Sequence, residues 1–93
     1  MKTIFKYDLM EKQFKLTLPI GSEILSAINQ YERIKVYALI NELIVEKEEF
    51  IFHVFGTGNP AISNYKNEKL KFLNTVILEG GMLVFHVFYF KVE

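Results

Sequence analysis

Cysteine and tryptophan are absent from this 93-residue sequence, and proline occurs only twice. Without cysteine there is no disulfide framework, no thiolate nucleophile and no iron–sulfur cluster, and the staples of small secreted folds are missing. Charge of one sign is missing too: 11 Lys plus Arg balance 11 Asp plus Glu. Phosphate neutralisation supplies most non-specific affinity for nucleic acid, so this balance argues against direct nucleic-acid binding. Arg33 is the lone arginine, which leaves almost nothing for bidentate recognition of phosphate or guanine. No apolar run escapes interruption by charge for long enough to span a bilayer. The opening Met1-Lys2-Thr3-Ile4-Phe5-Lys6-Tyr7-Asp8 also lacks the apolar stretch of a signal peptide. The expectation is a cytoplasmic protein with no membrane contact.

What is present is a surplus of aromatic residues, nine Phe and five Tyr, in a sequence that alternates with period two. Thr3, Phe5, Tyr7 and Leu9 share one phase, and Phe14, Leu16 and Leu18 alternate with Lys15 and Thr17 before Pro19-Ile20-Gly21-Ser22. These two segments read as a hairpin with one wet face. Residues 23–31 are ambiguous, because Glu23-Ile24-Leu25-Ser26 suits a helix with Ser22 as its N-cap, but strands are preferred here. Ile34, Val36, Ala38 and Ile40 form a clean strand phase, and Glu46-Lys47-Glu48-Glu49 reads as a turn or the polar start of the next strand.

From Phe50 to Phe55 only His53 is polar, which implies a central strand covered on both faces, ending at Gly56-Thr57-Gly58-Asn59-Pro60. Residues 59–69 form the longest polar stretch, read as a mobile loop. Leu70–Leu78 and Met82–Val92 flank Glu79-Gly80-Gly81, whose glycines suit positive φ in a tight turn. The expected fold is therefore all-β: one antiparallel β-sandwich or partly open barrel of about six or seven strands over residues 1–93. A chain of this length buries only about 60–65% of its unfolded surface, so homo-oligomerisation is a standing expectation.

The candidate chemistry is sparse. Phe-His-Val-Phe occurs at 52–55 and again at 85–88, and paired strands in suitable register would bring His53 and His86 together as a metal site or pH switch. Two imidazoles do not complete a zinc site, and hydrogen-bonded strand histidines are the commoner outcome. Gly56, Thr57 and Gly58 resemble part of a phosphate-cradling loop, but the Lys-Ser or Lys-Thr ending and the following helix are missing. The serines lie in no nucleophile-elbow context, and the sole aspartate is Asp8. No enzyme activity, cofactor or metal is expected. The aromatic surplus exceeds the interior of so small a domain, so Tyr31, Tyr37, Phe88, Tyr89 and Phe90 cannot all be covered, and a partner surface is expected among them.

Several blocks in order carry a resemblance: Met1-Lys2-Thr3-Ile4-Phe5-Lys6-Tyr7, Leu18-Pro19, Ile24-Leu25-Ser26, Gly56-Thr57-Gly58-Asn59-Pro60, and Gly80-Gly81-Met82-Leu83-Val84-Phe85-His86-Val87-Phe88. Over nearly its whole length the chain resembles a family of small phage and prophage proteins of uncharacterised function. That family opens with Lys-Thr-Ile-Tyr-Lys-Tyr, carries Gly-Thr-Gly-His-Pro in the middle and ends in Leu-Val-Phe-His-Val-Phe. Here Asn59 replaces the family's His and Phe5 its Tyr, which removes one imidazole from any shared chemistry. The resemblance implies a phage-borne β protein and supplies no activity. Phage accessory proteins of this size often disable host machinery, so the expected function is a non-enzymatic protein that binds and inhibits a host protein, in the manner of an anti-CRISPR or other anti-defence inhibitor. Asn59, Tyr65, Lys66 and Tyr89 are the expected partner contacts. The alternatives are a sponge or sensor for a nucleotide-like signal, held by Gly56, Thr57, Gly58 and His86, and a structural phage component.

Overall fold

The computed structural model describes residues 1–58 and 70–93. Its seven strands are β1 (Lys2–Asp8), β2 (Gln13–Pro19), β3 (Glu23–Gln30), β4 (Arg33–Asn41), β5 (Lys47–Gly56), β6 (Lys71–Leu78) and β7 (Leu83–Lys91). They form a three-stranded sheet in the order β1-β4-β3 and a four-stranded sheet in the order β2-β5-β7-β6, every pairing antiparallel. The sheets pack face to face as a sandwich. The expected loop over 59–69 lies outside the described residues.

The inner faces follow the alternation. Ile34, Val36, Ala38 and Ile40 of β4 meet Leu16 and Leu18 of β2, Phe50, Phe52 and Val54 of β5, and Val87 of β7 in one core. Phe52, Leu18, Val36 and Val87 are its largest fully buried side chains. Burial of side chains this size contributes about 1.5–3 kcal/mol each.

One expectation is corrected. β1 and β2 do not form a hairpin. β1 pairs with β4 in one sheet and β2 with β5 in the other, and the link between them crosses from sheet to sheet. Leu9-Met10-Glu11-Lys12 holds no Asn-Gly or Gly to fold the chain straight back. Instead Leu9 N–H donates to the Ile34 carbonyl at 2.9 Å and the Lys12 carbonyl accepts from Val54 N–H at 2.8 Å, one bond to each sheet. The alternative of a helix over 23–31 gives way to a strand. Ser22 does not cap a helix, because its hydroxyl donates to the Pro19 carbonyl at 2.6 Å and closes the turn through Gly21, whose φ is 88°.

β3 has a bulge between Ile24 and Ser26, which leaves Leu25 without a partner on β4. An extra residue shifts the phase by one, so the buried positions are Ile24 and Ala27, three apart. The β3–β4 hairpin turns through Tyr31 and Glu32 at φ 55° and 61°, the left-handed pair of a type I′ turn built without glycine. Asn29 supports it, its side-chain oxygen accepting Glu32 N–H at 2.9 Å. The β6–β7 turn uses Gly80 and Gly81 at φ 63° and 101°, as expected from the pair of glycines.

Side chains join the two sheets along one side. Asn74 of β6 accepts the Ala27 N–H at 2.8 Å and donates to the Ala27 carbonyl, taking both backbone groups that β3 turns away from β4. Asn29 donates to the Ile77 carbonyl at 3.0 Å, and the Glu32 carboxylate accepts Glu79 N–H at 2.7 Å. These contacts climb both strands together, so β3 and β6 run parallel across the seam. On the opposite side β1 and β2 each keep an edge with no ladder among the described residues.

Candidate functional site

β5 and β7 are apolar in both phases, so one phase fills the core and the other covers the outside of the four-stranded sheet. The register sets His53 opposite Phe88, Phe55 opposite His86 and Ile51 opposite Phe90. Val54 faces Val87 between them, and the two Phe-His-Val-Phe segments are related by a local pseudo-two-fold through that pair. Each imidazole therefore lies across from a phenyl ring of the other strand. The two histidines sit on one face but diagonally, neither directly across from the other. Among the described residues no three His, Asp or Glu side chains gather as metal ligands.

The outer face is an aromatic field. Phe55 and Phe88 meet edge to face at 5.7 Å, Phe72 and Phe88 at 5.3 Å, and His53 stacks on Phe55 at 5.9 Å and on Phe90 at 6.2 Å. Leu70 packs on Phe55 and Phe88, with Phe90 against them, as an apolar cluster separate from the core. A bulge between Phe72 and Asn74 splits β6, turning Phe72 outward beside Phe88 while Asn74 reaches the β3 seam. Phe72 and Ile77 remain 55% and 54% exposed on this face. An antiparallel sheet with one solvated face ordinarily carries polar side chains there.

At one end of the field His86 is held by two hydroxyls. Thr57 Oγ1 lies 2.8 Å from Nε2, and Thr75 Oγ1 lies 3.0 Å from Nδ1. Each hydroxyl can donate or accept, so either neutral tautomer, and the imidazolium, is satisfied without rearrangement. A hydroxyl beside an imidazole is half of a nucleophile–base arrangement. The group on the far nitrogen is a neutral threonine, however, which lacks the negative charge that steadies an imidazolium in a catalytic triad. The only aspartate, Asp8, is on the other sheet, ion-paired with Lys35. That pairing, led by the hydrogen bond from Lys35, holds the Asp8 carboxyl below its usual range.

The predicted site residues divide. Of Gly56, Thr57, Gly58 and His86, Thr57 is joined to His86 through its hydroxyl, and Gly56 and Gly58 flank Thr57 in the chain. Gly56 stands opposite Phe85, and Thr57 N–H is taken by the Val84 carbonyl at 3.1 Å, so the Thr57 amide is not available to cradle an anion. Tyr89 faces inward, stacked on Phe52 at 5.7 Å and tilted against Phe50 at 6.4 Å. Its free rim lines a cleft of about 200 Å³ with Glu23, Lys71 and Lys91. Asn59, Tyr65 and Lys66 lie outside the described residues.

Sequence reasoning missed a cleft of about 300 Å³ at the turn end of the sandwich, where Arg33 meets Asp8, Met10, Glu32 and Leu78. No helix among the described residues is long and apolar enough to cross a membrane.

The site thus defines a small antiparallel sandwich bearing an aromatic outer face. By sequence the chain belongs to the family described as Domain of unknown function (DUF7352), whose model matches residues 1–93. No curated protein matches it, and no solved structure does.

Proposed function

We propose that this chain is a non-catalytic binding protein of phage or mobile-element origin, acting in the host cytosol by covering a surface of a host protein, with a defence effector as the target class. The observation that carries this reading is the aromatic outer face of the four-stranded sheet. Aromatic side chains supply large contact area at low entropic cost and dominate the energetic centres of interfaces; on this face Phe55 and Phe88 are buried, and Phe72 and Ile77 are the exposed apolar side chains that support the reading. The neutral balance of charge fits a protein target better than a nucleic acid. Tagged protein retained on resin in lysate of its natural host should recover one stoichiometric partner. Recovery of none, together with turnover or capture of a small molecule, defeats the proposal.

A second reading, a sponge for an anionic nucleotide-like signal, draws on the His86 clamp, where the Thr57 and Thr75 hydroxyls and an imidazole converge. Thermal shift against a nucleotide library separates the two. Ligand at a hundred times its dissociation constant adds roughly 2.7 kcal/mol to the folded state, and no shift retires the sponge.

A further inference from the structure

The three-stranded sheet ends at β1, and the hydrogen bond from Leu9 N–H to the Ile34 carbonyl at 2.9 Å fixes which β1 groups are already used. Leu9 and Ile34 continue the β1–β4 register, in which Tyr7 faces Val36, Phe5 faces Ala38 and Thr3 faces Ile40. Backbone groups alternate in direction along a strand, so Thr3, Phe5 and Tyr7 bond to β4, while Lys2, Ile4, Lys6 and Asp8 aim their N–H and carbonyl groups away from the sheet. Natural edge strands are blunted by proline, bulges, very short length or charged side chains, lysine especially, and Lys2 and Lys6 on β1 restrict which registers it accepts. β2, the other free edge, ends in Pro19. β1 has seven residues with no proline and no register shift.

We propose that β1 is the docking edge for a second copy of this chain, the two strands pairing antiparallel about Phe5 so that the two three-stranded sheets become one across a two-fold axis. The charges select this register. A two-fold pairing that uses the outward groups and keeps both sheets' inner faces on the same side centres on Ile4, Phe5 or Lys6. Centred on Ile4 it sets Lys2 opposite Lys6 twice, and centred on Lys6 it sets two Lys6 side chains opposite each other; like charges directly across a ladder are destabilising. Centred on Phe5 it sets Lys2 opposite Asp8 at both ends. Ile4, 57% exposed, then faces Lys6, whose methylene stem covers it. Phe5, 38% exposed at the rim of the core, meets its own copy. The contact is self-complementary, as a two-fold dimer requires. A single strand pairing buries less than a standard interface, so the dimer forms and dissociates with concentration.

A chain without cysteine makes the test clean. In this register the two Phe5 residues form a non-hydrogen-bonded pair with Cα atoms about 4.5 Å apart, within disulfide reach. Phe5→Cys should cross-link to a covalent dimer in oxidised glutathione. Ile4→Cys, which faces Lys6 instead of itself, should cross-link at least tenfold more slowly. In sedimentation equilibrium the wild-type mass should rise with concentration from 10.9 kDa toward twice that, and Lys2→Glu, at an exposed position, should weaken association about tenfold at low salt. A wild-type chain that stays monomeric up to about 1 mM, or Ile4→Cys cross-linking as fast as Phe5→Cys, overturns the proposal. If Phe5→Cys does not fold, an unchanged dissociation constant for Lys2→Glu overturns it alone.

Discussion

Replacing Asn74 with alanine tests how the sandwich is closed. The Asn74 amide occupies both the N–H and the carbonyl of Ala27, a residue with no exposed surface. Truncation leaves one buried donor and one buried acceptor unpaired, at about 1–3 kcal/mol each. Water entering the opened seam recovers part of that, so a net loss of about 2–4 kcal/mol is expected. For a domain of this size 1 kcal/mol moves the Tm by roughly 4–8 °C, so the midpoint should fall by about 8–32 °C. Asn74→Asp sharpens the test, since it keeps an acceptor for Ala27 N–H but sets carboxylate against the Ala27 carbonyl. Its folded pKa should be raised. The variant should be most stable below the usual carboxylate value of about 4 and lose stability as pH rises through the folded pKa, opposite to a salt-bridged acid. Thermal melts by circular dichroism from pH 3 to 8 read both effects. An Asn74→Ala midpoint within about 3 °C of wild type would refute the claim that this one side chain joins β3 to β6.

Other positions carry smaller tests. Gly81→Val forces a β-branched residue to φ 101° and should cost more than 1 kcal/mol in chemical denaturation; an unchanged midpoint would mean the turn takes another form. Tyr31 is 87% exposed at φ 55°, so Tyr31→Asn should stabilise by about 0.5–1 kcal/mol by relieving the left-handed strain, and a loss would show that the ring packs on something. Burial, and then the Glu42 carboxylate, hold the Tyr7 hydroxyl above its ordinary 10.0. A raised acid favours the folded state while protonated, so stability should decline as pH climbs past about 10 toward the folded value, and Tyr7→Phe should flatten that decline in alkaline melts.

The alternation of β4 and the paired glycines of the β6–β7 turn made those elements legible, because both signals are local. The β1–β2 hairpin misled because period two reports which residues share a face and is silent on which sheet holds the strand. At β3 the bulge put Ile24 and Ala27 at helical spacing, which is why a helix competed there. The β3–β4 turn hid because Tyr31 and Glu32 adopt glycine-like backbone through support from Asn29. Asn74 gave no sign of its role, since Ala27 is 47 positions away. The aromatic surplus forecast surface rings, but Tyr89 shares the inner phase of Phe85 and Val87, Phe88 is buried in the outer cluster, and the exposed ring of that face is Phe72.

The aromatic outer face is the heart of the functional proposal, and Phe72→Glu interrogates it with little demand on the fold, the side chain being more than half exposed. Quantitative mass spectrometry of material co-purified from the natural host, wild type beside variant at matched Tm, is the direct measurement. One partner should be enriched by the wild type and depleted at least tenfold by the variant. Equal recovery on both would contradict the proposal.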